Sequence, residues 1–357
     1  MNAITARLFT PDNQYALVSR IFIRVLALIY FAAFASLAVQ IDGLAGPNGI
    51  LPLQALLDYR LGHDGISAYW HLPTLFWLND SNAALRGVAW LGALLSLLLL
   101  VGRCQRWILV LLFAFYLSLY HAAQIFMNFQ WDTLLLESGF LAIFLVSGPN
   151  KLLIFMFHWL LFRLRFMSGV SKLASGDPSW RHLDALKTYF ETQPLPHAGS
   201  WYFHHLPDWM LTGGAALTLF SELIVPFFIF LPRRFRLFAA AVTLLMQTLI
   251  IASSNHNFIN LLTMALCLFL LDDRFVQRWL PRLTFLGKRT DADVTPPALL
   301  KAEHAALGLI SPLILLASIT IFAWSGFHVR PPKLVGKIAG HVADFGIGLD
   351  YHVFPTM

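Results

Sequence analysis

Five charged residues lie within or beside two consecutive apolar segments, between residues 129 and 173. They are Asp132, Glu137, Arg163, Arg165 and Lys172. A charge at membrane depth is costly unless it is paired or faces water, so each of these side chains needs a partner or a function. A lysine in a low-dielectric pocket loses proton affinity and can act as a base near neutral pH. Proton abstraction by Lys172 is therefore one chemistry that this pattern allows.

Pairing is the structural alternative for the same residues. At 100° per residue, His158, Arg165 and Lys172 fall on one stripe of a helix together with Ser168, whereas Arg163 points about 160° away. Nearby apolar segments offer Asp132, Glu137 and Glu222 as anions, and depth suggests Glu137 for Arg163. Lys172 could also extend to the lipid headgroups, since it lies near the end of its helix.

A polar, Trp-rich loop at residues 174–207 follows these two segments. Asp177 before Pro178 predicts a helix N-terminus and a short helix over 178–190. The residues of this loop that form a motif are Asp177, Trp180, Arg181, Glu191, Gln193 and Pro194. Glu191, His197, His204 and His205 have no metal-site spacing, so neither a metal nor another cofactor is predicted.

A later segment opens with S-S-N-H-N-F-I-N at residues 253–260. Asn257 and Asn260 are expected on one helix face, where interhelical hydrogen bonding is the simplest role. The chain carries no Walker loop, HExxH, G-x-S-x-G or dinucleotide fingerprint, which disfavours a conventional hydrolase or NTPase.

The composition indicates which kind of secondary structure positions these residues. Of 357 residues, 58% are hydrophobic and 12% are charged, whereas soluble domains carry about 25% charged residues. Apolar runs of about 20 residues recur along the chain. The expected fold is an all-α polytopic membrane protein. The net charge of +6 comes from cations at the ends of apolar runs, so no nucleic-acid partner is expected.

About nine transmembrane helices are predicted, at residues 20–41, 83–101, 107–127, 131–146, 151–173, 209–231, 235–252, 256–271 and 305–327. The transmembrane domain thus covers 20–327, after a cytoplasmic lead at 1–19. Outer interfacial helices are expected within 43–82 and 174–207, with a basic cytoplasmic loop at 272–304. The Lys and Arg distribution places the N-terminus inside and the tail, 328–357, outside. The expected location is a bacterial cytoplasmic membrane, or the endoplasmic reticulum membrane if the source is eukaryotic.

Several of these stretches resemble the lipase maturation factor family. They are FQWDTLLLESGFLAIF (129–144), LFRLRFMSGVSKLASGDPSWR (161–181), YFETQPLP (189–196), WYFHHLP (201–207), NFINLLT (257–263) and LLDD (270–273). The resemblance implies a polytopic protein that assists the folding and assembly of secreted lipases from the lumenal side. It also implies a soluble C-terminal domain, of which 328–357 would be only the start, so a truncated member is expected.

A more distant resemblance is to vitamin K-dependent gamma-carboxylase, through GPNGILP (46–52) and GVSKL (169–173). In that family a lysine in the matching context is the catalytic base, and it corresponds to Lys172. The preferred hypothesis is a membrane-embedded maturation factor or chaperone for secreted lipases or other exported proteins. The alternative is a membrane enzyme acting on a lipid or quinone-linked substrate, with Lys172 as base and Asp132 and Glu137 as proton-relay groups. A purely structural subunit is a third hypothesis.

Overall fold

The computed structural model describes residues 7–193, 195–287, 295–352 and 355–356. Within these ranges the chain is helical and forms no β-strand, which confirms the predicted all-α fold. The α-helices are α1 Ala16–Ala38, α2 Ile41–Ala45, α3 Leu53–Asp64, α4 Ala68–His71, α5 Asn82–Val101, α6 Gln105–Ala123, α7 Gln130–Leu145, α8 Lys151–Ala174, α9 Pro178–Arg181, α10 Ala185–Thr192, α11 Ala198–His204, α12 Asp208–Leu223, α13 Arg233–Ser253, α14 Ile259–Leu266, α15 Asp273–Trp279, α16 Pro297–Phe327 and α17 Lys333–Ala343.

Local sequence explains where the long helices begin and end. Ser81 caps α5 by accepting a hydrogen bond from the backbone N–H of Ala84 at 3.2 Å. Gly102 ends the same helix in the left-handed conformation, with φ at 86°, which glycine adopts without steric cost. Asn150 caps α8 by accepting from the N–H of Leu153 at 2.9 Å. Short polar side chains at such positions satisfy backbone donors that the helix itself cannot.

Seven stretches that contain α1, α5, α6, α8, α12, α13 and α16 are long and apolar enough to cross a bilayer. Two shorter stretches correspond to the other predicted spans: the 16-residue helix α7, and α14 with the 3₁₀ turn that follows it, Cys267–Leu270. The chain is therefore a multi-pass membrane protein. That these two shorter elements also cross the membrane, which would give nine spans in total, stays a prediction.

One end of the bundle collects the segments predicted to be cytoplasmic. The N–H of Asp12 donates to the carbonyl of Pro149 at 2.9 Å, joining the N-terminal lead to the start of α8. Arg106 lies 2.7 Å from Glu303, joining the first turn of α6 to the N-terminal part of α16. Arg233 pairs with Asp272, which caps α15. These contacts bring together the loops that a topology with nine membrane crossings would place on the cytoplasmic side.

The opposite end collects the segments predicted to lie outside. The hydroxyl of Ser118 near the end of α6 accepts from the N–H of Leu75 at 2.9 Å. Ser200 in α11 donates to the carbonyl of Ser253, the last residue of α13, also at 2.9 Å. His71 lies 3.1 Å from Asp344, just after α17. Residues 43–82, 174–207 and the C-terminal segment therefore share one end of the molecule.

Several boundaries differ from the sequence-based prediction; the last span, for example, begins at Pro297 and not at residue 305. The helix expected over 178–190 is divided into α9 and α10, because Leu183 between them has a φ of 62°. The span expected over 209–231 ends as an α-helix at Leu223 and continues as a 3₁₀ helix, Val225–Phe230, because Pro226 has no N–H to donate. The helix expected from residue 256 begins only at Ile259.

Helices α1 and α5 approach each other closely at a glycine. A Cβ added to Gly92 would lie 2.3 Å from the ring of Phe34, which is fully buried on α1. Gly87, five residues earlier on α5, faces open space, with nothing within 4 Å of such a Cβ. The hydrogen at position 92 is therefore what lets these two helices pack.

The variant Gly92→Leu is expected to lower the apparent melting temperature of the purified protein, because overpacking a core typically costs about 1–3 kcal/mol. Gly87→Leu is the matched control on the same helix, and it should be neutral or slightly stabilising, because leucine has the higher helix propensity. Thermal unfolding in one detergent would compare the variants. Equal melting temperatures for the two variants would contradict the packing described here.

Candidate functional site

Arg163 and Glu137 form a buried ion pair between α8 and α7, with only 2% and 1% of their side chains exposed. Both side chains also form hydrogen bonds with the backbone of the C-terminal segment. Glu137 accepts from the N–H of Gly348 at 2.9 Å, and Arg163 donates to the carbonyl of Leu349 at 3.0 Å. The Arg163 guanidinium also lies 5.6 Å from the ring centre of Tyr351. This pair is neutral overall and is sealed by backbone from another part of the chain.

The opposite face of α8 carries a second cluster. Lys172 Nζ lies 2.9 Å from one carboxylate oxygen of Glu222 on α12, and Arg165 lies 3.6 Å from the other. Arg165 also donates to the hydroxyl of Ser221 at 2.9 Å. Lys172 lies over the ring of Trp180, 5.1 Å from its centre. Two cations therefore share one carboxylate, which leaves an excess positive charge on this face.

Helix geometry accounts for this arrangement. Arg165 and Lys172 are seven residues apart, so they lie on one side of α8 two turns apart, as the stripe predicted. Gly169 lies between them in sequence, and a Cβ there would come within 2.9 Å of side-chain atoms of Glu222 and Leu223. The missing side chain lets α12 approach closely enough to bring Glu222 to both cations.

The second cluster forms the polar end of a cavity of about 420 Å³. The walls come from α8, α10, α12, α13 and α14, and they are mostly apolar. The polar side chains that line it are Arg165, Ser168, Lys172, Tyr189, Thr218, Glu222, Gln247, Ser253, Ser254, His256, Asn260 and Thr263. A concave apolar pocket with a few convergent polar groups is the usual form of a small-molecule site.

His256 and Tyr189 close the cavity beside Lys172, where the Tyr189 hydroxyl and His256 Nε2 are hydrogen-bonded. Burial lowers the pKa of His256 to about 4, with the positive charge of Lys172 as a second cause. Burial raises the pKa of Tyr189 to about 12. Both side chains are therefore neutral at pH 7, and neither offsets the excess positive charge of the cluster.

Asp132 lies in a different environment, although it belongs to the same predicted group. Its carboxylate accepts from the Tyr116 hydroxyl on α6 at 2.6 Å, and it is only 3% exposed. Neither Asp132 nor Glu137 lines the cavity that contains Lys172. The five predicted charges therefore divide into three separate sites, and the proton relay imagined for Asp132 and Glu137 is not assembled around Lys172.

Residues of the loop motif lie at the outer end of the cavity. Asp177 caps α9 by accepting from the N–H of Ser179 at 2.8 Å, as predicted. Trp180 is only 2% exposed and lines the cavity. Arg181 donates to the carbonyl of Leu173 at 2.9 Å, near the end of α8. Pro194 lies outside the described residues.

The other loop residues have local roles. The Gln193 amide lies 3.5 Å from the carbonyl of Ser253. Glu191 pairs with His204 at 3.1 Å, while His197 caps α11. The described residues bring one group of three possible metal ligands together, His71, His341 and Asp344. Their contacts of 3.1 and 3.6 Å are ordinary histidine–carboxylate pairs that attach the C-terminal segment to the outer end.

The two asparagines predicted on one helix face are separated by the structure. Asn257 precedes α14 and is exposed, its side chain accepts from the N–H of Phe258, and its φ is 54°. Asn260 lies inside α14, is 3% exposed and lines the cavity. Gln247 on α13 also lines the cavity and was not singled out from the sequence. A lone glutamine in an apolar membrane helix was the signal that could have identified it.

Comparison with known proteins identifies the family. Residues 17–278 match the family model described as lipase maturation factor transmembrane domain. The chain is 42% identical to lipase maturation factor 2 of Xenopus laevis over 284 residues, which is 74% of this chain and 40% of that protein. It is 40% identical to the human lipase maturation factor 2 over 71% of this chain and 40% of that protein. No solved structure matches the chain.

A third relative is a lipase maturation factor 1. The chain is 36% identical to lipase maturation factor 1 of Mus musculus over 75% of this chain and 50% of that protein. The chain therefore belongs to the lipase maturation factor family, as its sequence motifs predicted. The matched region spans 40–50% of the length of these three relatives.

The variant Glu137→Gln is expected to destabilise the protein strongly, because removing one partner of a buried ion pair typically costs about 3–5 kcal/mol. The control is Asp42→Asn, which breaks the exposed pair between Asp42 and Arg86 and should cost at most about 1 kcal/mol. Thermal unfolding and limited proteolysis near residues 344–352 would be compared. If Glu137→Gln were as stable and as protease-resistant as Asp42→Asn, the pair would not hold the C-terminal segment.

Proposed function

We propose that this chain is a membrane-embedded maturation factor that assists the folding or assembly of secreted lipases or other exported proteins. The observation that carries the proposal is the match of residues 17–278 to the transmembrane domain of the lipase maturation factor family. The relatives whose names state this function are 35–42% identical to the chain. The partners under this proposal are the lipid bilayer and an exported client protein.

The surface that suits a client lies at the end of the bundle predicted to be outside. Trp201, Tyr202 and Trp209 are 61%, 67% and 74% exposed, and Trp209 also lines the cavity. On the outer segment, Trp70 and Leu78 are 69% and 86% exposed. Exposed aromatic groups on a rigid scaffold offer apolar contact to an incompletely folded chain, and they also suit the membrane–water boundary.

No observation favours the enzyme alternative with Lys172 as a base. Lys172 is engaged with Glu222 and Trp180, and the acidic residues expected to relay protons lie in other sites. The maturation function needs no catalytic group, because burying client apolar surface and releasing it can occur without a chemical step. The carboxylase-like reaction is therefore left out of this proposal.

A complementation assay tests the proposal in a host that secretes a lipase and from which the gene can be deleted. Deletion is expected to lower lipase activity per unit of lipase antigen, and the wild-type chain should restore it. The double variant Trp201→Ala, Trp209→Ala should restore it less well at matched expression. Trp279→Ala, which removes an exposed tryptophan at the opposite end, is the control and should behave as wild type. Unchanged activity after deletion would exclude lipase maturation as the function in that host.

The orientation within this proposal is N-terminus inside and the Trp201 surface outside, in the bacterial cytoplasmic membrane or the endoplasmic reticulum membrane. The two natural cysteines provide a test, because Cys104 is exposed at the predicted cytoplasmic end and Cys267 is buried. A membrane-impermeant maleimide should label Cys104 in intact cells only after permeabilisation. Cys104→Ser is the control for the labelled site. Labelling of Cys104 without permeabilisation would reverse the proposed orientation.

A further inference from the structure

The cavity beside α8 has a polar end whose charges do not balance. The charged side chains among the described residues that line it are Arg165, Lys172 and Glu222. Arg165 and Lys172 are 5% and 3% exposed, and Glu222 is 4% exposed. Two buried cations against one buried anion leave room for one further negative charge at this end. An anionic ligand here would balance the charges of the three ionisable side chains that line this end.

Two neutral side chains at the cavity wall also lack partners. The side chains of Gln247 and Asn260 are each 3% exposed, and neither takes part in a hydrogen bond within the described part of the chain. Both side chains line the cavity, so a ligand there can reach their amides. Each amide offers two N–H donors, which suits an acceptor-rich group such as a carboxylate.

The rest of the cavity is apolar and opens among exposed residues. Trp209 and Met210 are 74% and 41% exposed at its edge, and the apolar side chains of Leu164, Leu217 and Ile250 line it further in. Its volume of about 420 Å³ lies within the range of about 300–1,000 Å³ that is usual for small-ligand pockets. That room suits a single acyl chain, whose end can extend through the open edge beside Trp209.

We propose that this cavity binds a long-chain carboxylate, with its acyl chain between α12 and α13 and its carboxylate at Arg165, Lys172, Gln247 and Asn260. The long-chain carboxylate is a ligand of the protein itself, and its binding does not depend on the proposed maturation function. A carboxylate supplies the missing negative charge and accepts from the two amides, while the single chain covers the apolar wall.

The test uses the full chain in phosphatidylcholine nanodiscs and a palmitate analogue that carries a diazirine on its acyl chain. After irradiation, mass spectrometry of peptides should place the adduct on α12 or α13. Unlabelled palmitate is expected to compete for labelling, whereas hexadecanol, which has a chain of the same length and no charge, should compete at least tenfold less well. Phosphatidylglycerol, which offers a phosphodiester and two chains, should also compete poorly.

Gly213→Leu tests the chain end of the cavity without touching any charge. Gly213 lines the cavity, and a Cβ there has nothing within 4 Å, so the leucine side chain enters open space. Labelling should fall at least tenfold, with little change in melting temperature. Gly87→Leu is the matched control, since it is also an exposed helical glycine with open space around its Cβ, and it lies outside the cavity.

Asn260→Leu tests the headgroup end. Replacing an unpartnered buried amide by an apolar side chain of similar size should leave the melting temperature unchanged or raise it. The same variant should lower the affinity for palmitate at least tenfold, a combination that misfolding cannot produce.

The proposal is overturned if labelling is not saturable, or if Gly213→Leu and Gly87→Leu label equally. Equal competition by hexadecanol would show that no carboxylate is recognised, and equal competition by phosphatidylglycerol would assign the headgroup site to a phosphodiester. Because these readouts use purified protein, they do not depend on whether a lipase is the client in the complementation assay.

Discussion

The structure depends on how one helix accommodates three cations within the membrane domain. Helix α8 carries Arg163, Arg165 and Lys172, and all three are at least 95% buried. Each needs an anion from another helix, so α8 can be stable only between α7, which brings Glu137, and α12, which brings Glu222. Charge pairing therefore determines which helices surround α8, whereas apolar contact alone would allow many neighbours.

The cations on the two faces of α8 are paired in different ways. On the Arg163 side, one cation meets one anion, and backbone groups of Gly348 and Leu349 form further hydrogen bonds with the pair. That site resembles the interior of a soluble domain, with no space left for a ligand. On the Lys172 side, two cations share Glu222 beside an open cavity. The Arg163 side is thus filled by the chain itself, whereas the Lys172 side borders open space.

Much of this arrangement could be predicted from the sequence because it is local. The stripe of Arg165 and Lys172 follows from helix periodicity, and the Asp177 cap follows from an Asp–Pro pair. The division of 178–190 into two helices could not be predicted, because it depends on a left-handed backbone at Leu183 that no nearby glycine indicated. The placement of Asn257 also failed, since α14 begins only after the loop has packed against α10. Such features are decided by tertiary contacts.

The position of the cavity connects its chemistry to the outer surface. Its polar end is held by α8 and α12, while its outer wall is formed by α10 and the neighbouring residues Phe203 and Leu206 of the loop at 174–207. The same loop presents Trp201 and Tyr202 to the exterior. Helix α11 therefore belongs to both features, because Phe203 lines the cavity while Trp201 and Tyr202 on the same helix are exposed.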